Sequence, residues 1–206
     1  MVDPTAFGYG DLRFSWGDHI CTIFENREQQ MEVMVPFVVQ GLRAEQRCVW
    51  ASPKSAAELF RRRLAEAGAD LPTLEASGQL LIIPDTDYYL SDGVFVLERT
   101  LELAKTLYED SLRQGYTAIR AAGDCSWAAE APVDVELWEK YEREFGEQIA
   151  GKPAVVVCQY NMRQFPRAHV LAALRTHPIV ILGETVCRNP LFSKEHGMMA
   201  DERQVH

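Results

Sequence analysis

Short apolar runs alternate with amphipathic helical segments along almost the whole chain. This alternation constrains the fold more than any other feature of the sequence. His19 to Phe24 is a compact apolar run, and the stretch Arg27 to Leu42 follows with Met31, Met34, Val35, Val38 and Leu42 on one helical face. Pro36 falls inside that helix and is expected to kink or divide it, and Gly41 reads as a stop signal near its end. Cys48 to Ala51 is the next strand. Ser55 with Glu58 has capping-box spacing for a helix that runs to Ala67 and stops at Gly68.

The pattern then repeats. Leu80 to Ile83 is a buried strand ended by Pro84, and Asp85 to Gly93 is expected to be a polar, aromatic loop. Val94 to Gln114 is a long helix, and Ala118 to Ala121 is a strand running into Gly123-Asp124-Cys125-Ser126-Trp127. Val133 to Ile149 is a helix with Trp138, Tyr141, Phe145 and Ile149 on one stripe. Ala154 to Cys158 is a β-branched strand, Pro166 to Arg175 a helix, and Ile179 to Leu182 with Thr185 to Cys187 the closing strands.

Strands that are apolar on both faces and separated by helices imply an α/β fold: three layers, a mostly parallel central sheet, and helices on both faces. The last two strands are joined too tightly for a crossover, so they are expected to pair antiparallel. A chain of 206 residues suits one core. The expected organisation is an N-terminal extension (1–14), one domain (15–192) and a loose polar tail (193–206).

Composition narrows the function. The net charge of -9 opposes direct nucleic-acid binding, and Arg61-Arg62-Arg63 shares its helix with Glu58 and Glu66, as a solvated face would. No apolar run approaches the roughly 18–20 residues of a membrane helix, and the N-terminus lacks a signal-peptide pattern. A cytoplasmic location without membrane contact is the expectation. Cys21, Cys48, Cys125, Cys158 and Cys187 form no CxxC pair and read as buried thiols.

In open α/β sheets, ligands bind outside the carboxyl ends of the strands. The first such turn is Glu25-Asn26-Arg27-Glu28-Gln29. A nucleoside triphosphatase would place a glycine-rich loop with a lysine there. Two carboxylates without a glycine exclude that cradle, so no Walker A motif and no catalytic constellation is read. Tyr88, Tyr89, Trp127 and Tyr160 gather at strand ends and are expected to rim an apolar pocket. His19 and Cys21 share a strand face, Arg120 carries a charge into a strand, and Asp124 ends one. These four are expected to floor the pocket, with Asp124 or Glu142 as the partner of Arg120.

These residues resemble the MEDS domain, the methanogen and methylotroph sensory domain of DcmR-like regulators. The matching stretches are His19-Ile20-Cys21, Pro36-Phe37 with Gly41-Leu42, Asp92 to Phe95, Ile119-Arg120 through Asp124 and Trp127, Tyr141-Glu142, Cys158-Gln159-Tyr160, His177-Pro178 and Asn189-Pro190. The resemblance implies a RecA/KaiC-like fold that has lost its phosphate loop. It also implies a non-catalytic sensor of small hydrocarbon derivatives. The 206 residues leave no room for an output domain, so a stand-alone module, or a fragment, is expected that relays to a separate kinase, anti-sigma factor or transcription regulator, and a homodimer is compatible with this. Two alternatives stand beside this reading. One is nucleotide binding without hydrolysis through Lys54, Asp124 and Arg163. The other is a haem- or metal-dependent redox sensor using His19 and cysteine thiolates; no cofactor is identified by the residues themselves.

Overall fold

The computed structural model describes residues 2–130, 133–183 and 185–192. The expected loose tail, 193–206, lies outside them. A seven-stranded sheet forms the middle layer, in the order β3-β2-β6-β7-β1-β8-β9. Its strands are β1 (His19–Phe24), β2 (Arg47–Ser52), β3 (Leu80–Pro84), β6 (Ile119–Asp124), β7 (Ala154–Asn161), β8 (Ile179–Leu182) and β9 (Thr185–Arg188). All neighbouring pairs run parallel except β8–β9, which is antiparallel. The expected α/β architecture is therefore the observed one. Every residue of β1 and β2 is buried, as a parallel sheet covered on both faces requires.

One face carries α1 (Arg27–Arg43), α2 (Lys54–Glu66) and the short α3 (Leu71–Ala76). Met31, Met34, Phe37, Trp50, Phe60, Val155 and Val157 form the core beneath them. The opposite face carries α5 (Leu97–Arg113), α7 (Val135–Ile149) and α8 (Arg167–Thr176), with Cys21, Tyr89, Trp127, Trp138, Tyr141, Phe145 and Cys158 in its core. α6 is a single turn, Trp127–Glu130.

Several local expectations are corrected. Pro36 neither ends nor divides α1, which runs on to Arg43. Gly41 is no stop signal. A Cβ there would lie 2.5 Å from Arg120 Cδ and 2.8 Å from Cys48 Sγ, so glycine permits the helix to approach the sheet. The capping box on Ser55 does not form, because Pro53 takes the N-cap of α2 two residues earlier without a side-chain bond. The segment expected as a loop folds into α4 (Asp85–Tyr89) and a hairpin of β4 (Leu90–Ser91) with β5 (Val94–Phe95).

The N-terminal segment is part of the core. Phe7 and Phe14 are buried against α1 and the sheet. Gly8 passes so close to α1 that a Cβ would lie 2.3 Å from the Pro36 carbonyl oxygen. Arg120, on β6, ties the segment down. Its guanidinium is fully buried and donates to the carbonyls of Pro4, Ala6, Phe7 and Phe37 and to Gln46 Oε1. The rings of Phe14 and Phe37 lie 4.9 and 5.1 Å from its charge.

Candidate functional site

β-strand alternation sends His19, Cys21 and Ile23 to the α7/α8 face of the sheet and Ile20 to the other. Cys158 lies level with Cys21 on the neighbouring strand, so its thiol faces the same side. Glu142 reaches down from α7, and His177 arrives from the residue that closes α8. These groups converge. His19 Nε2 lies 3.2 Å from Cys158 Sγ and 3.3 Å from Glu142 Oε2. His177 Nε2 lies 3.5 Å from the same carboxylate oxygen, and the Cys158 thiol donates to it at 3.4 Å. Tyr160 donates to Glu142 Oε1 at 2.5 Å and accepts from Trp138 Nε1 at 3.2 Å. All six side chains are buried.

This burial sets the protonation states. Both imidazoles lose solvation, which lowers the pKa of His19 and of His177 to about 3 and keeps them neutral. The same desolvation raises the Glu142 carboxyl above its usual range and the Cys158 thiol well above its own. A carboxyl group, a thiol and two imidazoles thus share a dry space and favour their uncharged forms.

A cavity of about 40 Å³ adjoins this cluster, with Cys158 and Phe145 in its wall. Phe145 also packs edge-on against His19. The remaining wall is mostly apolar and includes Tyr88, Tyr89, Tyr141, Ala121 and Val156. The volume exceeds the roughly 10–15 Å³ that one water requires. The cavity lies beneath α5 and α7, against β2, β6 and β7, and not outside the carboxyl ends of the strands as expected.

The anticipated pocket residues divide into three groups. Tyr88 and Tyr89 do line the cavity. Trp127 stacks on Tyr89 at 4.7 Å, and Tyr160 is fully buried against Glu142; both are core rings and not a rim. His19 belongs to the polar cluster, with Cys21 on the same sheet face. Arg120 and Asp124 do not floor the cavity, nor do they pair. Arg120 serves the N-terminal segment on the opposite face, as described above. Asp124 pairs with Arg27, accepts from Gln30 Nε2 at 2.9 Å and caps Ser126 N at 3.0 Å. Gln30 and Trp50 both donate to Gln159, extending that network along the sheet. Arg163 forms an exposed ion pair with Glu25. Glu142 is read from the sequence as a partner for Arg120, and it and His177 otherwise appear only among the stretches that resemble the family. Their helical or strand-edge positions gave no sign that they meet.

One glycine fits the cavity wall closely. A Cβ on Gly123 would lie 2.0 Å from Tyr89 Oη. Gly123→Ala is expected to push the Tyr89 ring from its stack with Trp127 and to destabilise the chain by about 1–3 kcal/mol. Chemical denaturation followed by tryptophan fluorescence checks this; an unchanged midpoint and an unchanged native spectrum would refute it.

Comparison with known proteins agrees with this description. Residues 18–178 match the family model of the MEDS domain, "MEthanogen/methylotroph, DcmR Sensory domain". The transcriptional repressor DcmR of Methylorubrum extorquens is 26% identical over 167 residues, covering 81% of this chain and 60% of that protein. The chain therefore spans less than two thirds of that relative's length. Among solved structures, a KaiC-like protein from Pyrococcus horikoshii superposes with a TM-score of 0.59 at 14% identity, covering 88% of this chain and 81% of the other. The flagellar accessory protein FlaH of Methanocaldococcus jannaschii gives 0.60 at 16% identity, covering 86% and 77%. These two share the fold. On the match across residues 18–178, the chain belongs to the MEDS family of sensory domains.

Proposed function

We propose that this sensory domain is non-catalytic, binds a small, largely apolar molecule in the cavity under α5 and α7, and relays its occupancy to a separate signalling protein. The observation that carries this is the cavity itself, walled by rings that are mechanically continuous with a surface hairpin. Tyr88 and Tyr89 belong to α4, which leads directly into the β4–β5 hairpin. Arg99 of α5 ties α4 in place by donating to the carbonyls of Asp87 and Tyr88. Displacing Tyr89 would therefore move α4 and the hairpin, whose Val94 is 61% exposed and available to a partner. The size of the cavity limits its occupant to a few heavy atoms.

The first strand-to-helix turn argues against nucleotide chemistry. Asn26 caps α1 through Gln29 N, Glu25 and Glu28 flank it, and Arg27 is committed to Asp124. A triphosphate there would meet two carboxylates and would have to break a partly buried ion pair. Millimolar magnesium–ATP is accordingly expected to leave the melting temperature unchanged.

The binding test uses a panel of one- to three-carbon alcohols, amines, halides and thiols, read by tryptophan fluorescence and thermal shift. At least one member is expected to give a saturable change that Tyr89→Ala abolishes. A panel without any saturable response, or stabilisation by ATP in its place, would overturn the reading.

A further inference from the structure

We propose that His19, Glu142, Cys158 and His177 form a binding site for one divalent transition-metal ion, with Zn²⁺ the best match. The four ligand atoms, His19 Nε2, Glu142 Oε2, Cys158 Sγ and His177 Nε2, all lie within 4.8 Å of one another. They come from β1, α7, β7 and the end of α8, so the tertiary structure and not a local motif assembles them. The assignment does not depend on what occupies the cavity.

Geometry is the first argument. A tetrahedral zinc ion at about 2.0–2.1 Å from nitrogen or oxygen and about 2.3 Å from sulfur holds its ligand atoms roughly 3.3–3.6 Å apart. Four of the contacts here are 3.2, 3.3, 3.4 and 3.5 Å. Four of the six spacings thus match the corners of such a site, and all six lie within 4.8 Å.

Lone pairs are the second argument. His177 Nδ1 lies 2.7 Å from the Ala173 carbonyl, and that contact needs the ring proton on Nδ1. Nε2 is then a bare lone pair aimed at Glu142 Oε2, and it has no hydrogen-bond partner despite complete burial. An ionised Glu142 would repel that lone pair, so the metal-free carboxyl keeps its proton, and a cation between the two atoms takes that proton's place. The Nδ1–H bond to a backbone carbonyl is also the usual way a metal-bound histidine is oriented. Glu142 has comparable support: its other oxygen accepts from Tyr160, which Trp138 holds in turn. His19 is seated against Gly146, where a Cβ would lie 3.1 Å from its Nδ1, so the glycine leaves room for the ring.

Charge is the third. A thiolate and a carboxylate together carry two negative charges, which a divalent ion neutralises. A neutral assembly is what a fully buried pocket tolerates. A donor set of two imidazoles, one thiolate and one carboxylate suits zinc, with cobalt as its spectroscopic substitute. Binding would release the Cys158 proton and the Glu142 proton to solvent and leave both imidazoles neutral.

The experiment titrates Co²⁺ into the full chain after chelator treatment, under reducing, oxygen-free conditions. One equivalent is expected to bind, with strong visible bands of tetrahedral cobalt and a thiolate-to-metal charge-transfer band, and Zn²⁺ should bleach both. Cys158→Ser, close in shape to the native side chain, should remove the charge-transfer band. His177→Ala should weaken binding by at least about 100-fold. Cys187→Ser, at the far edge of the sheet, should change nothing. Circular dichroism confirms that each variant is folded. The proposal fails if the native chain binds no cobalt. It fails equally if the bound ion gives only weak octahedral bands, or if the charge-transfer band survives Cys158→Ser.

Discussion

Replacing Arg120 with Leu should lower the stability of the chain by about 3–5 kcal/mol, the range seen when one partner of a buried charged network is removed. The side chain is wholly enclosed yet keeps its charge at neutral pH, since burial lowers its pKa only to about 10. Its solvation is replaced by four backbone carbonyls and the Gln46 amide oxygen. Leu would leave those oxygens buried and without this donor, a larger loss than that of the bonds themselves. Three of the carbonyls belong to Pro4, Ala6 and Phe7, so the N-terminal segment should detach first. Arg120→Lys should rescue little, because one ammonium cannot serve five separated acceptors. Urea denaturation with hydrogen exchange at residues 5–14 tests both parts. A loss below 1 kcal/mol, or a segment that stays protected, would show that the arginine does not anchor it.

Acidification of the metal-free chain should produce the second large effect. His19 and His177 titrate near 6.5 when unfolded but only at about 3 when folded. Between those values the unfolded chain binds protons that the folded chain excludes, so stability falls as pH falls. Each histidine contributes up to about 1.4 kcal/mol per pH unit across that window. Glu142 acts in the opposite direction. Its folded pKa is raised from 4.5, so its contribution is complete below 4.5 and is lost as pH rises through the folded value. Its proton uptake therefore offsets part of the histidine loss above pH 4.5 and none of it below. The facing groups, Cys158 and Tyr160, carry no positive charge to compensate, and burial raises both pKa values. Denaturation midpoints measured from pH 7 to pH 3.5 should decline, more steeply below 4.5. His19→Gln should make the decline shallower. A flat profile, or one that rises on acidification, contradicts this account.

The sequence carried the architecture well because its signals are local. The main-sheet strands are built around short apolar runs, and β1 was read to the residue, whereas the two-residue β4 and β5 were not read as strands. Misreadings occurred where two local signals competed or where tertiary packing outweighed both. At α2 the proline displaced the Ser55 box as cap. At Asp85–Gly93, polar residues suggested a loop, but Tyr88 and Tyr89 are drawn into the core and fold the segment around them. Tyr88, Tyr89, Trp127 and Tyr160 were expected on a pocket rim, yet all four are buried.

The missing phosphate cradle, the strand–helix alternation and the family were legible in the chain alone, because each depends on residue type at short spacing. Which charges and donors meet was not. Arg120 and Asp124 lie four positions apart on β6 and share the α1 face, yet Arg120 bonds the N-terminal segment and Phe37 O while Asp124 pairs with Arg27 at the start of α1. His19 and Cys158 are 139 residues apart and touch only because β1 and β7 pair in one register. Shifting that register by a single residue would send the two side chains to opposite faces of the sheet. Sequence determined the elements and what the first turn lacks. The order of the strands decided that two histidines, a cysteine and a glutamate share one dry pocket.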